Sequence, residues 1–468
     1  MPNPYDLAVI GGGPGGYTAA IRAAQLGMRA VLVERDNVGG LCLNWGCIPS
    51  KALLAGAEVL NLIRRGGDFG ITYDNLSADL AVAVDRSRRI VEGFVGGVET
   101  LLQQNKVDVV RGTARLTGPN SLRVTPQGET IEARNILIAT GAVTRSLPGI
   151  APDGDRILTS REALELRQTP ISIVIVGGGP IGCEFAYLYR SYGAEVTIVE
   201  LLPHLLPNED EDVSKQLERS FANQGIAVRT GASVAGISVG SNTVSVRVQT
   251  GDAAEDVRAE RVLIGVGFGA NTDALSLREA GVETDEHGWV RIDDHARTNV
   301  PSVWAAGDVT GRMLLAHVAS HQGVIAVETM AGRNPPPLDY DQMPRAVYCQ
   351  PQVASLGLTE AQARERGIDV RIGRFPFRAS GKAMAMGDTE GFVKLVVDNA
   401  TNALAGWHII GHNATELLGE ASLATALEAT TAELSYAVHA HPTLAEAIKE
   451  AAQAANGEAI HFFTRRGA

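Results

Sequence analysis

The chain has 468 residues, 45% hydrophobic and 20% charged, with a net charge of −12. The length accommodates about three domains of ordinary size, and the acidic balance excludes the basic footprint of a nucleic-acid or anionic-membrane binder. Four cysteines are too few for a structural disulfide framework, and no apolar run reaches the ~18 residues of a membrane-crossing helix.

The first predicted strand, 5–10, begins almost at the initiator and leaves no room for a signal or transit peptide. A soluble, cytoplasmic protein of bacterial type, or an already processed chain, is expected. The strand runs into Gly11, Gly13 and Gly16, then a helix, a second strand and Glu34. This fits G-x-G-x-x-G: the first glycine makes a tight turn, the second lets the backbone approach a pyrophosphate, and the third lets helix pack on strand. The helix N-terminus offers free N–H groups and the positive end of its dipole, and Glu34 stands where ribose hydroxyls would donate to it.

Residues 39–51 read GGLCLNWGCIPSK. Cys42 and Cys47 fall on the first turns of a predicted helix, whose dipole favours thiolates, and such a pair can store two electrons reversibly. Two buried structural cysteines are the alternative. No second Cys or His pair stands near enough in sequence to complete a metal site, so no metal is expected. Trp45 either packs beside the dithiol and its cofactor or fills the core. Arg86, Arg88 and Arg89 read as a solvated helix face.

Residues 107–145 read as short strands, with LIATG at 137–141 a strand ending at a nucleotide. Residues 172–200 repeat the opening pattern through Gly177, Gly179, Gly182 and Glu200; the first glycine precedes the glutamate by 23 positions in both copies. Glu200 would repel a 2′-phosphate, and Leu201, Leu202 and Pro203 offer no cation, so NAD is favoured over NADP. Residues 212–225 read as helix, 226–268 as strand-rich, and VWAAGDV (303–309) as a strand running into Asp308. A proline-rich linker at 333–344 precedes interleaved strands (345–357, 369–377, 391–398, 403–411) and helices (359–367, 414–430, 443–455). The fold class expected is α/β, with two Rossmann-like dinucleotide-binding domains and a C-terminal α+β domain. Near the end, His441 could serve thiol chemistry as a proton acceptor near neutral pH, oriented by Glu446 on a helix that Pro442 helps to start; a surface or packing histidine is the alternative.

The cysteine segment resembles the GG-T-C-x-N-x-G-C-x-P-S-K signature of the pyridine nucleotide–disulfide oxidoreductases. The resemblance continues through the second glycine motif, AAGDV (305–309), MLLAH (313–317), VASLGLTE (353–360) and HAHPTLAEA (439–447), and so covers essentially the whole chain. Within that family, CLNWGCIPSK followed by HPTLAE is more similar to the dihydrolipoamide dehydrogenases than to the glutathione reductases, whose cysteine segment is of a valine type. Mercuric reductases carry a vicinal cysteine pair at the C-terminus, where this chain reads HFFTRRGA, and soluble transhydrogenases lack the first cysteine.

The resemblance implies FAD and NAD as cofactors, with residues 1–148 and 271–344 as two parts of a FAD-binding domain, 149–270 an NAD-binding domain and 345–468 a dimerisation domain. It implies Cys47 as the thiolate beside the flavin, Cys42 as the interchange thiol, and Lys51 paired with Glu184 at the site of hydride transfer. Asp308 would hold the flavin ribityl chain; Ala114, Thr140, Gly141 and Ala316 match further FAD positions, and Val234 and Gly267 match NAD positions. The motif HPTxxE selects His441 with Glu446 over the nearby His439; His317 and His321 read as structural, with the His317 backbone near the flavin. A homodimer is implied in which His441 of one subunit reaches the cysteines of the other. The substrate partner would be the lipoyl domain of a 2-oxo-acid dehydrogenase or glycine-cleavage complex, met in trans. An NAD(P)H-dependent reductase of another small disulfide, and a non-catalytic FAD/NAD-binding subunit, are the alternatives. Departures from the pattern are Leu41 for Thr, Phe268 for Arg, Val318 for Lys and Gln352 for Glu; Cys183 and Cys349 read as inert buried thiols.

Overall fold

A computed structural model describes residues 4–463; residues 1–3 and 464–468, the outer ends of the first and last expected domain ranges, lie outside the described residues. Strands Asp108–Arg111, Ala30–Glu34, Tyr5–Ile10 and Glu129–Ile138 run parallel in that order. The long strand Glu129–Ile138 has two partners on its far edge: Ser121–Thr125 pairs antiparallel along its first half, and Val303–Ala305 pairs parallel along its second. The chain therefore leaves this sheet and returns to it about 165 residues later (303 − 138). The central strands are apolar at every position from Leu7 to Ile10, as expected of a parallel sheet covered on both faces.

The second sheet is parallel throughout, in the order Ile226–Arg229, Glu195–Val199, Ser172–Val176, Arg261–Ile264, Ile157–Leu158. An antiparallel layer of Ala232–Val239, Val244–Thr250 and Ala253–Ala259 packs beside it. The repeat seen in the sequence is also a repeat in space. Gly11 and Gly177 take φ of 102° and 109°, a region that favours glycine. A Cβ at Gly16 would lie 1.8 Å from the Gly11 carbonyl, and one at Gly182 would lie 1.9 Å from that of Gly177. Two short antiparallel strands, Ala142–Thr144 and Phe268–Ala270, join the two units where the chain crosses out and back.

The C-terminal unit is a five-stranded antiparallel sheet backed by helix Glu446–Ala455. The strand expected over 345–357 is two, Arg345–Val347 and Gln352–Gly357, paired antiparallel around a turn that contains Pro351. Pro442 does not start a helix: it lies in a loop, and the helix begins at Glu446. The stretch Gly40–Arg64 passes for a membrane-crossing helix by length and composition alone. It is two helices, Gly40–Trp45 and Cys47–Arg64, and Leu53, Leu54, Ala57 and Leu60 of the second are buried in the protein.

A buried ion cluster fixes the C-terminal unit to the second one. The Lys394 ammonium, 3% exposed, lies 2.8 Å from Asp210, 2.8 Å from Asp212 and 2.9 Å from Glu360. Burial works against its charge, yet these carboxylates hold its pKa well above the ordinary value. Lys394→Met leaves the buried Asp210 carboxylate without its cation and is expected to cost about 3–5 kcal/mol, read as a lowered apparent melting temperature.

Candidate active site

The cysteine segment is shaped by its glycines. Gly39, with φ 94°, turns the chain into the six-residue helix that carries Cys42. Gly46 ends that helix with φ −143° and ψ −108°, and Cys47 becomes the first residue of an 18-residue helix. The two sulfurs are joined as a disulfide across a Cα–Cα distance of 4.8 Å. Cys47 thus stands at a helix N-terminus, where unpaired N–H groups and the dipole favour a thiolate over a thiol.

Lys51 follows Cys47 by one turn. Its Nζ lies 2.9 Å from both carboxylate oxygens of Glu184, which is buried on helix Pro180–Ser191. The Tyr348 N–H donates to the same carboxylate at 3.1 Å, and its ring centroid is 4.6 Å from Nζ. The ion pair is therefore held by three separate segments of chain.

Both groups face a cavity of about 520 Å³. Gly11, Gly13, Glu34, Cys42, Cys47, Lys51, Ala114, Thr140, Gly141, Glu184, Asp308 and Ala316 all line it. Gly16 lies behind the wall, supporting the turn. Asp308 follows the strand Val303–Ala305, and burial raises its carboxyl to about 6. The second set, Gly177, Gly179, Gly182, Glu200, Val234 and Gly267, lies outside this wall around the second sheet, while Pro180 and Ile181 of the second turn reach into it.

Glu34 and Glu200 have a task the sequence reading did not assign them. Glu34 accepts from the N–H groups of Gly12 at 2.6 Å and Asp36 at 2.8 Å. Glu200 accepts from those of Gly178 at 2.5 Å and Leu202 at 2.8 Å. Each carboxylate clamps its own glycine turn and retains lone pairs for a further donor.

His441 and Glu446 are paired, with Nδ1 2.9 Å from Oε1, but they are not in the cavity wall. Against a desolvation that raises it, the Thr443 N–H and the His441 ring hold the Glu446 carboxyl below its ordinary value. His441 is 78% exposed, so none of the described residues of its own chain covers it. His439 is engaged by Glu420 at 2.8 Å. His317 bonds the Pro344 carbonyl, and burial lowers its pKa. Cys183 and Cys349 are buried thiols with pKa pushed up by desolvation. Of the departures, Leu41 and Phe268 line the cavity, Val318 is fully buried, and Gln352 accepts from the Thr415 N–H and hydroxyl.

Two features escaped the sequence reading. Tyr348 belongs to a distant segment, and only the tertiary fold brings it to Lys51. Arg88 is not on a solvated face: it shares a helix stripe with buried Val84 and Val91, and its guanidinium lies 5.1 Å from the Trp45 ring. The spacing of 84, 88 and 91 could have shown this.

The pyridine nucleotide-disulphide oxidoreductase profile matches residues 5–323, and that family's dimerisation domain matches residues 343–452. The dihydrolipoyl dehydrogenase of Chlorobaculum tepidum is 49% identical over 452 residues, spanning 96% of this chain and 96% of the relative. That of Bacillus subtilis is 42% identical, spanning 99% of this chain and 100% of the relative. Among solved structures, LpdA from Mycobacterium tuberculosis superposes with a TM-score of 0.89 at 29% identity, over 96% of this chain and 99% of that one. The HOCl-induced flavoprotein disulfide reductase RclA from Escherichia coli superposes with a TM-score of 0.85 at 29% identity, over 95% of this chain and 98% of that one. With both parts matched and the bonded cysteine pair in the cavity wall, the chain belongs to the pyridine nucleotide-disulphide oxidoreductase family, enzymes that use FAD and NAD.

Proposed function

We propose that this enzyme oxidises protein-bound dihydrolipoyl groups to lipoyl groups with NAD⁺ as acceptor, through the Cys42–Cys47 disulfide and FAD. The observation that carries this reading is the disulfide standing in one cavity wall with the first glycine turn and the Lys51–Glu184 pair. The cavity residues fit FAD: a helix N-terminus for the pyrophosphate, Glu34 for a ribose, and the buried Asp308 carboxyl for ribityl hydroxyls, with Ala114, Thr140, Gly141 and Ala316 alongside. Gly177, Gly179, Gly182, Glu200, Val234 and Gly267 would hold NAD, and the exposed Leu201 and Leu202 offer a 2′-phosphate no cation. FAD, when bound, supplies the two-electron link between the dithiol and the nicotinamide.

The protein's own part is thiol chemistry. One substrate sulfur attacks Cys42 Sγ, the S–S bond breaks, and Cys47 leaves as the thiolate its helix N-terminus favours. His441 takes the substrate's thiol proton, oriented by Glu446. The second substrate sulfur then displaces Cys42. The dihydrolipoyl group is oxidised by two electrons, leaving a Cys42 thiol, a Cys47 thiolate and one proton on His441. Lys51 and Glu184 orient the nicotinamide face.

The exposure of His441 supports a homodimer in which it serves the partner's cysteines. The fully exposed character of Tyr436 and Val438 beside it supports burial against a second copy. The domains are read as 1–148 with 271–344, 149–270 and 345–468. The bacterial relatives support a cytoplasmic setting, and a lipoyl domain of a 2-oxo-acid dehydrogenase or glycine-cleavage complex is the partner in trans.

Anaerobic dihydrolipoamide is expected to give the purified flavoprotein a long-wavelength thiolate–flavin band, with NADH forming once NAD⁺ is added; a band with other dithiols but not this one would move the reading to another disulfide. His441→Gln is expected to lower turnover by about 10²–10⁴-fold with flavin retained. Mixed dimers of Cys42→Ser and His441→Gln subunits should regain activity that neither parent shows, and mixtures as inactive as their parents would exclude action across the dimer. Asp308 has a folded pKa of about 6 against an ordinary 3.8. Its destabilising charge is therefore fully present above about pH 6 and lost below about pH 4. Asp308→Asn should raise the melting temperature of flavin-free protein more at about pH 7.5 than at about pH 5.

A further inference from the structure

Trp45 lies between the two redox cysteines, one helical turn after Cys42 and so on the same face of its short helix. Two guanidiniums approach its ring. The Arg161 guanidinium, from helix Ser160–Ala163, stacks 3.9 Å from the ring centroid, and Arg88, from helix Leu80–Gln104, lies 5.1 Å away. Arg161 and Trp45 both line the cavity with Cys42 and Cys47. The charges are only partly offset. Glu165 pairs with Arg88 at 3.8 Å, yet the Arg88 Nε and Nη2 atoms are buried with no hydrogen-bond partner among the described residues. Glu162, beside Arg161, spends its hydrogen bonds on capping its own helix through Thr159. The other cation near the pair, Lys51, is neutralised by Glu184. The indole thus holds two partly compensated guanidiniums against the segment that carries the disulfide.

We propose that Arg161 and Arg88, held by the Trp45 ring, set the redox poise of the Cys42–Cys47 pair. The inference rests on the reading of that pair as the redox centre. Reduction takes two electrons and one proton from the dithiol substrate, breaks the S–S bond, and leaves one thiol and one thiolate. The oxidised pair is neutral and the reduced pair carries one negative charge, so nearby positive charge favours reduction. Arg161 is solvent-exposed, and screening limits each arginine's effect to a modest factor. Trp45 is the positioning residue, since cation–π stacking fixes where the charges stand.

The test is anaerobic redox titration of the flavin-loaded enzyme against dihydrolipoamide/lipoamide mixtures, read by the long-wavelength band. Arg161→Gln and Arg88→Gln should each require a dihydrolipoamide-to-lipoamide ratio about three- to tenfold higher for half-reduction, about 14–30 mV at 29.6 mV per tenfold. Arg161→Lys, which keeps the charge, should stay within about twofold of the parent. Equal shifts in Arg161→Gln and Arg161→Lys would mean that packing, not charge, sets the poise, and no shift in either glutamine variant would overturn the proposal outright. If one glutamine variant fails to retain flavin, the other decides. Failure of the parent enzyme itself to develop the band would count against the redox role of the cysteines, a distinct result.

Discussion

Gly46 separates the short helix bearing Cys42 from the long one that begins at Cys47, and this break sets where both sulfurs stand. An unbroken helix would place residues 42 and 47 on different faces, because five residues advance the helix by well over one turn. With the break, the two Cα atoms are 4.8 Å apart and the sulfurs bond, while Cys47 gains a helix N-terminus of its own. Lys51 then projects one turn on, toward Glu184 on the second unit. The chemistry of the cavity follows from that one interruption: a bonded pair, a favoured thiolate, and an ion pair fixed beside them.

The two dinucleotide turns are built the same way, down to the carboxylate that closes each one. Glu34 and Glu200 bind the N–H groups of their own turns. A glutamate at this position therefore holds the turn in shape before any ribose arrives. The units differ in setting. The first turn faces the cavity with the cysteines, whereas the second approaches it only through Pro180 and Ile181. The crossing strands Ala142–Thr144 and Phe268–Ala270 fix their relative placement, and the Lys394 cluster fixes the C-terminal unit to the second.

Much of this was legible because it is local. Strand, glycine turn, helix and glutamate recur at fixed spacing, and the cysteine pair lies within one short segment. The family resemblance pointed to Lys51 with Glu184, which the fold brings within 2.9 Å. What the sequence did not show depends on contacts between distant segments: Tyr348 against Lys51, and Trp45 against Arg88 and Arg161. The error over Arg88 was one of pattern, since a cluster of arginines was weighed by charge and not by its place on the Val84–Val91 stripe. Asn44, Lys51 and Glu58 interrupt the apolar stretch 40–64, and its helix is broken at Gly46, where function needs the break.

The most direct measurement of the central claim is differential alkylation. The flavin-loaded enzyme would be treated anaerobically with one equivalent of dihydrolipoamide, quenched with iodoacetamide, and mapped by mass spectrometry. Alkylation at Cys42, with Cys47 protected beside the flavin and Cys183 and Cys349 unlabelled, is the expected result. Labelling that does not depend on dihydrolipoamide, or that falls on Cys47 in preference to Cys42, would contradict the assignment of the interchange and flavin-side sulfurs.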